Sequence, residues 1–174
     1  MLNMNLVDAV LYHDTRTMIM THDFENISFH DNAIHGIFLP ENIDGRISPL
    51  RFDIDHIIEW SEDTFSGKPL FSVCQAVVSF SDVTDLKVNI EWAESKYTAS
   101  ETGLYIIDIN KINVKTMLRF PHYYKLEIIT NNKNCYFSFG ASTFSMSLLG
   151  DTRLIGRQYL LGEERASILQ LTDK

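Results

Sequence analysis

The stretch SFHDNAIHG concentrates side chains that could do chemistry, with His30, Asp31 and His35 within six positions. Imidazole and carboxylate groups bind transition metals or transfer protons. On a straight strand, residues of equal parity share a face, so Asp31 and His35 would face one way and His30 the other. A metal site would therefore need a further ligand from another strand, and His56 or Asp53 could supply it.

The same stretch also fits ordinary turn chemistry. Asp and Asn side chains bond to nearby backbone groups and favour turns, so Asp31 and Asn32 would set the chain's entry into the strand AIHGIFL. His30 would then donate to a backbone carbonyl. Within residues 28–36 there is no HxH, HExxH or HxxE signature, so the turn interpretation is favoured.

A second constellation is FDIDHIIEW, which places Asp53, Asp55 and Glu59 on the polar face of a predicted strand. At strand rise, Asp53 and Asp55 would lie about 7 Å apart. Such a pair could do general acid–base work if one carboxyl were desolvated, or could bind Ca²⁺. The plainer alternative is a solvated polar face whose acids pair with basic residues of neighbouring strands.

Other chemical motifs are sparse. His56 lies on the apolar face of the same strand, where a hydrogen-bonded core histidine is expected. Cys74 and Cys135 are sixty-one positions apart, and neither has a local histidine partner. GxSxG, GxxxxGK[ST] and GxGxxG are missing from the sequence, so nucleophilic catalysis and nucleotide binding have no signature. Trp60 and Trp92 end predicted strands and are expected to close the ends of the core.

The elements that would position these residues have a period of two, which is typical of strands. Alternating or wholly apolar runs cover 50–60, 71–80, 86–92, 103–114, 124–128 and 134–149. The run 71–80 is apolar on both faces, which indicates a strand covered on both sides. Turn residues separate the runs, TNNKN (130–134) is a hairpin connection, and Gly140 marks a bend or bulge. We predict an all-β, mainly antiparallel fold, either a β-sandwich or an open barrel.

The 174 residues fit one domain. Residues 1–26 carry polar breaks and are expected to form an N-terminal arm or peripheral segment, and residues 27–174 the all-β domain. Helix is limited to at most one or two short peripheral pieces, with candidates at 4–12 and 161–170.

Charge narrows the classes of partner. The formal net charge is −8, and the 15 basic residues are scattered. Because phosphate recognition needs clustered Lys and Arg, binding to nucleic acid or to an anionic membrane is disfavoured. The sequence shows no signal-peptide pattern and no apolar run of membrane-spanning length, so we expect a cytoplasmic protein.

The segments SFHDNAIHGIFL, LRFDIDHIIEW and GASTFSMSLLGDTRLIGRQYL together resemble a set of small bacterial all-β proteins of unknown function. The shared pattern is an HDxxI strand, an FDIDxIxxW strand and a late QxL, and it covers residues 27–168. This resemblance implies a fold, and it carries no activity or catalytic residue to this chain.

Our leading hypothesis is a non-enzymatic binding protein that contacts a protein partner through an acidic face, as immunity and accessory proteins do, and a basic partner would suit such a face. The candidate binding residues are Asp31, His35, Asp53, Asp55 and Glu59. The alternative is a small metal-dependent hydrolase or ligand-binding barrel in which His30, Asp31, His35 and His56 converge. We expect no cofactor, and self-association as a structural subunit stays open.

Overall fold

In a computed structural model, the described residues are 18–20, 24, 26–91, 103–114, 120 and 122–166. They form eleven strands and a 3₁₀ turn at Gly162–Glu164. The strands are β1 Met18–Met20, β2 Ala33–Phe38, β3 Asn42–Ile43, β4 Arg46–Ile47, β5 Leu50–Glu62, β6 Pro69–Ser81, β7 Thr84–Ile90, β8 Leu104–Asn113, β9 Tyr124–Thr130, β10 Cys135–Ala141 and β11 Thr143–Ile155.

Nine strands join in the order β1-β11-β6-β5-β2-β8-β9-β10-β7, and β3 and β4 form a separate two-stranded hairpin. Every pairing is antiparallel. The sheet turns a corner where β6 runs on into β7 and β10 into β11, and the Ser142 amide donates to the Ser81 carbonyl there at 3.1 Å. The prediction of an all-β, mainly antiparallel fold, a sandwich or open barrel, is confirmed.

The main core lies between the two halves of this curled sheet, one formed by β1, β11, β6, β5 and β2 and the other by β8, β9, β10 and β7. Alternating side chains bring aromatic rings of opposite halves together, with ring centroids 5.2 Å apart for Phe52 and Phe137 and 4.9 Å for Phe80 and Phe139. Of the predicted N-terminal arm, β1 pairs with β11 and Phe24 is buried in this core. The remaining residues of the arm, other than Asn26, lie outside the described part of the chain.

A second, smaller apolar cluster lies on the outer face of β5 and β6. It consists of Ile57, Phe71, Val73 and Leu160, with Ile155 packed against it. Leu160 belongs to residues 156–166, which cross the outer face after β11 and which we call the C-terminal strap. The strap explains why β6 is apolar on both faces, as the sequence pattern indicated.

Two details of the predicted elements are corrected. The run 134–149 is not one strand, because the chain bends at Ser142 and divides it into β10 and β11. Where a helix was expected from residue 161, the described part is only the 3₁₀ turn, while 167–170 and the candidate at 4–12 lie outside the described residues. TNNKN does connect β9 and β10 as a hairpin. In the described residues, no helix has the length and apolar character needed to cross a membrane.

Candidate functional site

The carboxyl pair Asp53 and Asp55 lies on the outer face of β5, on one side of the strand as parity predicted. β5 pairs with β2 on one side and β6 on the other, so the pair occupies the middle of a sheet. Both residues are buried, with exposures of 1% and 0%. The solvent-exposed acidic face expected at these two positions is therefore corrected: the C-terminal strap covers it.

Arg165 of the strap joins the two carboxylates. Its Nη1 donates to Asp55 Oδ1, and its Nη2 donates to Asp53 Oδ2 at 2.5 Å. The arginine side chain is only 11% exposed, so the ion pairs are largely shielded from water. A planar guanidinium with several donors suits two carboxylates held side by side, which a lysine ammonium could not bridge as well.

The two remaining carboxylate oxygens are also occupied. Asp53 Oδ1 accepts from Gln75 Nε2 at 3.1 Å. Asp55 Oδ2 accepts from His35 Nε2 at 2.7 Å and from the Leu160 amide at 2.8 Å. All four oxygens therefore have donors, and three of these donors, two from Arg165 and one from Leu160, belong to the strap, so the arrangement holds the strap on the sheet.

His35 is the most exposed member of this network, with a third of its side chain accessible. Burial lowers the pKa of His35, and the nearby Arg165 guanidinium lowers it further. The ring is therefore neutral near pH 7 and donates its Nε2 proton to Asp55. Of the sequence-predicted binding residues, the structure brings together His35, Asp53 and Asp55.

His56 points to the other face of β5, into the main core. The Asn32 side-chain amide donates to His56 Nδ1 at 2.9 Å, and the Asn32 side-chain oxygen accepts from the Ile57 amide at 3.1 Å. Burial lowers the pKa of His56 to about 4, so the imidazole is neutral and can accept this bond. His56 is the hydrogen-bonded core histidine that its position predicted, and its partner is Asn32.

His30 and Asp31 form a turn before β2. Asp31 adopts φ = 63°, a left-handed conformation that Asp tolerates better than most residues, and its amide donates to the Ile106 carbonyl at 2.8 Å. His30 is 58% exposed, and its Nδ1 lies 3.2 Å from Asp31 Oδ2. A turn does occur at His30 and Asp31, as predicted, but the Asp31 and Asn32 side chains bond to distant residues instead of to nearby backbone groups. The described contacts of His30 also show no bond to a backbone carbonyl.

The four candidate metal ligands do not converge. His35 contacts Asp55 on the outer face, whereas His56 lies in the core near Phe29, with ring centroids 6.1 Å apart. Asp31 is bound by Gln158 of the strap at 3.1 Å. Among the described residues, no three or more His, Cys, Asp or Glu side chains are arranged to hold a metal ion.

Glu59 lies apart from the network, at the far end of the β5–β6 hairpin, and the prediction that it shares a face with Asp53 and Asp55 is wrong. A β-bulge at Ile58 shifts the register there, so Trp60 pairs with Phe71 on the outer face instead of continuing the core parity. Trp60 is 54% exposed, and the expectation that it closes the core is wrong. Trp92 lies outside the described residues.

We call residues 58–69 the hairpin end. It consists of the last part of β5, the connecting turn and the first residue of β6. Glu59 and Glu62 are exposed there, and Phe65 at the tip is fully exposed. Lys68 is its single basic residue, so the acidic side chains outnumber the basic ones.

Sequence reasoning missed Arg165, Gln75 and the role of Asn32. One signal was available: a strand apolar on both faces, as in VCQAVV, is covered on both sides, and its neighbour β5 must then be covered too. Two aspartates on that covered neighbour required a buried cation. The identity of this cation had no local signal, because Arg165 is 110 residues from Asp55.

Comparisons with known proteins assign neither a family nor a function to this chain. No family model matches the chain, and no curated protein and no solved structure matches it. The resemblance to small bacterial all-β proteins therefore stays a prediction, and functional argument rests on the residues themselves.

Proposed function

We propose that this chain is a non-enzymatic, cytoplasmic binding protein that contacts a basic protein partner through an acidic surface, as immunity and accessory proteins do. The observation that supports this proposal is the distribution of carboxylates. The buried pair Asp53 and Asp55 is matched inside the fold by Arg165, whereas Glu59 and Glu62 are exposed. The hairpin end, and not the centre of β5, is the acidic surface offered to a partner.

Electrostatics favours a basic partner. The chain carries a formal net charge of −8, which repels acidic macromolecules and attracts basic ones over roughly one Debye length, about 8–10 Å in physiological salt. Complementary charge mainly accelerates association and selects among partners. The neighbouring Trp60 side chain adds apolar area, and tryptophan is enriched among residues that dominate binding energy.

The test uses the wild-type chain and two charge-reversed variants. One variant is E59K/E62K at the hairpin end, and the matched control is D108K/E127K, which reverses two exposed acids on the other half of the sheet. Each protein is immobilised and exposed to lysate of the source cells. Proteins retained by the wild type and by the control, but not by E59K/E62K, are identified, purified and titrated at 50 and 300 mM salt.

We expect a purified partner of basic pI whose affinity falls as salt rises, because charged contacts are screened. Reversing Glu59 and Glu62 should weaken it by about tenfold or more, mainly through slower association. The control should stay within about threefold of wild type. A partner that binds all three proteins equally at both salt concentrations would remove the proposal.

A further inference from the structure

We infer that Phe65 is the anchor residue of this recognition: the turn at the hairpin end inserts its ring into an apolar pocket on the partner, flanked by basic side chains. This inference rests on the proposed function and deepens it, since it names the residue that supplies affinity and the complementary chemistry of the partner. It is carried by the exposure of Phe65, the construction of the turn and the surrounding charge.

Phe65 has 100% relative exposure, the highest of the exposed large apolar side chains in the described residues. A phenylalanine ring left entirely in water gains free energy when any apolar surface covers it. Phe65 stabilises nothing in the monomer by burial, so a stabilising role in the isolated fold does not explain its presence. Trp60, Ile58 and Leu154 are also about half exposed or more at this end of β5, β6 and β11.

The turn that carries Phe65 is held by its own hydrogen bonds. The Asp63 carboxylate accepts from the Phe65 amide at 2.8 Å and from the Ser66 amide at 3.4 Å. The Gly67 amide donates to the Asp63 carbonyl at 2.8 Å, and Gly67 has φ = +65°. The Asp63 amide in turn donates to the Lys68 carbonyl at 2.9 Å.

These bonds fix the backbone on both sides of the aromatic ring. The bond from the Phe65 amide lowers the pKa of Asp63, so the carboxylate remains ionised and bonded. A side chain displayed on an ordered backbone loses little conformational freedom when it binds, which favours affinity. The turn therefore fixes the backbone position from which the Phe65 side chain projects.

Charge complementarity selects the occupant. Glu62 shares the outer face of the hairpin end with Trp60, and Glu59 lies on the opposite face, so exposed carboxylates occur on both faces of the hairpin that carries Phe65. These carboxylates fit a partner with basic side chains around its apolar pocket. A second copy of this chain would bring the same carboxylates against each other, so self-association through this surface is disfavoured. We therefore assign the surface to a basic protein.

The experiment uses the partner purified as described above and separates the aromatic contact from the charged one. F65A removes the ring without changing charge, and F65L retains apolar volume. The matched control is Y136A, which truncates an exposed aromatic residue on β10, in the other half of the sheet. Calorimetric titration gives the affinity and stopped-flow mixing gives both rates. Sedimentation reports the oligomeric state of each variant.

We expect F65A to weaken binding by about 30-fold or more, through faster dissociation, with the salt dependence unchanged. F65L should recover part of the loss, and Y136A should stay within about threefold of wild type. Because Phe65 is fully exposed, F65A should unfold at the same temperature as wild type.

Three results would overturn the inference. If F65A binds within threefold of wild type while E59K/E62K still weakens binding, the anchor is wrong and the proposed function stands. If neither variant affects the purified partner, or no basic partner is retained, both proposals fail. A dimer that F65A dissociates would assign the turn to a second copy of this chain instead.

Discussion

Replacing Arg165 by alanine is the most demanding test of the buried network. The substitution leaves Asp53 and Asp55 covered by the strap without their shared cation. Removing one partner from a buried ion pair costs roughly 3–5 kcal/mol, because an uncompensated charge stays in a low-dielectric environment. For a domain of 150–250 residues, each kcal/mol lowers the unfolding temperature by about 2–4 °C. We expect R165A to unfold about 10 °C below wild type.

The measurements are thermal unfolding, which gives the temperature, and urea unfolding, which gives the free energy, of wild type and R165A, each followed by circular dichroism and by tryptophan fluorescence. Trp60 reports on the outer face, because its ring lies against Phe71 with centroids 4.9 Å apart. The control is R153A, since Arg153 is about half exposed and its nearest carboxylate oxygen, on Glu164, is 3.9 Å away. We expect R153A to unfold close to wild type.

If the strap detached in R165A, water would reach the two carboxylates and the loss of unfolding free energy would be smaller. Hydrogen exchange shows whether the strap has detached. The Leu160 and Ala166 amides donate to Asp55 and Gln75, at 2.8 and 2.7 Å. If R165A releases the strap, both amides should exchange much faster while amides within β5 and β6 stay protected. Unfolding within 1 kcal/mol of wild type, with unchanged exchange at both amides, would refute the reasoning.

Two further predictions concern positions outside the outer-face network. The pKa of His56 is about 4 in the folded protein, against 6.5 in the unfolded chain. Its contribution to stability is therefore complete above pH 6.5 and is lost as the pH falls towards 4, about 3 kcal/mol in all. The difference in unfolding free energy between wild type and H56Q should follow this pH window, whereas H30Q should match wild type. G140A should destabilise by about 1–3 kcal/mol, because its Cβ would lie 2.5 Å from the Tyr123 hydroxyl oxygen; in a Tyr123→Leu background most of that cost should disappear, and an equal cost in both backgrounds would exclude this clash as its cause.

Local pattern predicted most of the fold. Alternation in LRFDIDHIIEW and YKLEI, and the turn TNNKN, each depend on neighbouring residues, so the strands could be located without tertiary information. The structure differs from the predicted strands at two places, where a bulge or a bend interrupts the alternation. The bulge at Ile58 reversed the face of Trp60, and the bend at Ser142 divided one predicted strand into β10 and β11.

The site was predicted less well, because its contacts are distant in the sequence. Parity placed Asp53 and Asp55 on one face, but it could not show that the strap covers that face. Arg165 and Gln158 reach the network and Asp31 from more than a hundred residues away. His30, Asp31 and His35 are neighbours in sequence, but Asp31 binds Gln158 of the strap, His35 binds Asp55, and His30 is exposed.

The most direct test of the central claim is amide hydrogen exchange of the full chain, alone and with its purified basic partner bound. We predict that binding slows exchange at the Phe65, Ser66 and Lys68 amides of the hairpin end and leaves exchange at the amides of β9 and β10 unchanged. Protection confined to β9 and β10, with the hairpin end unchanged, would contradict the account.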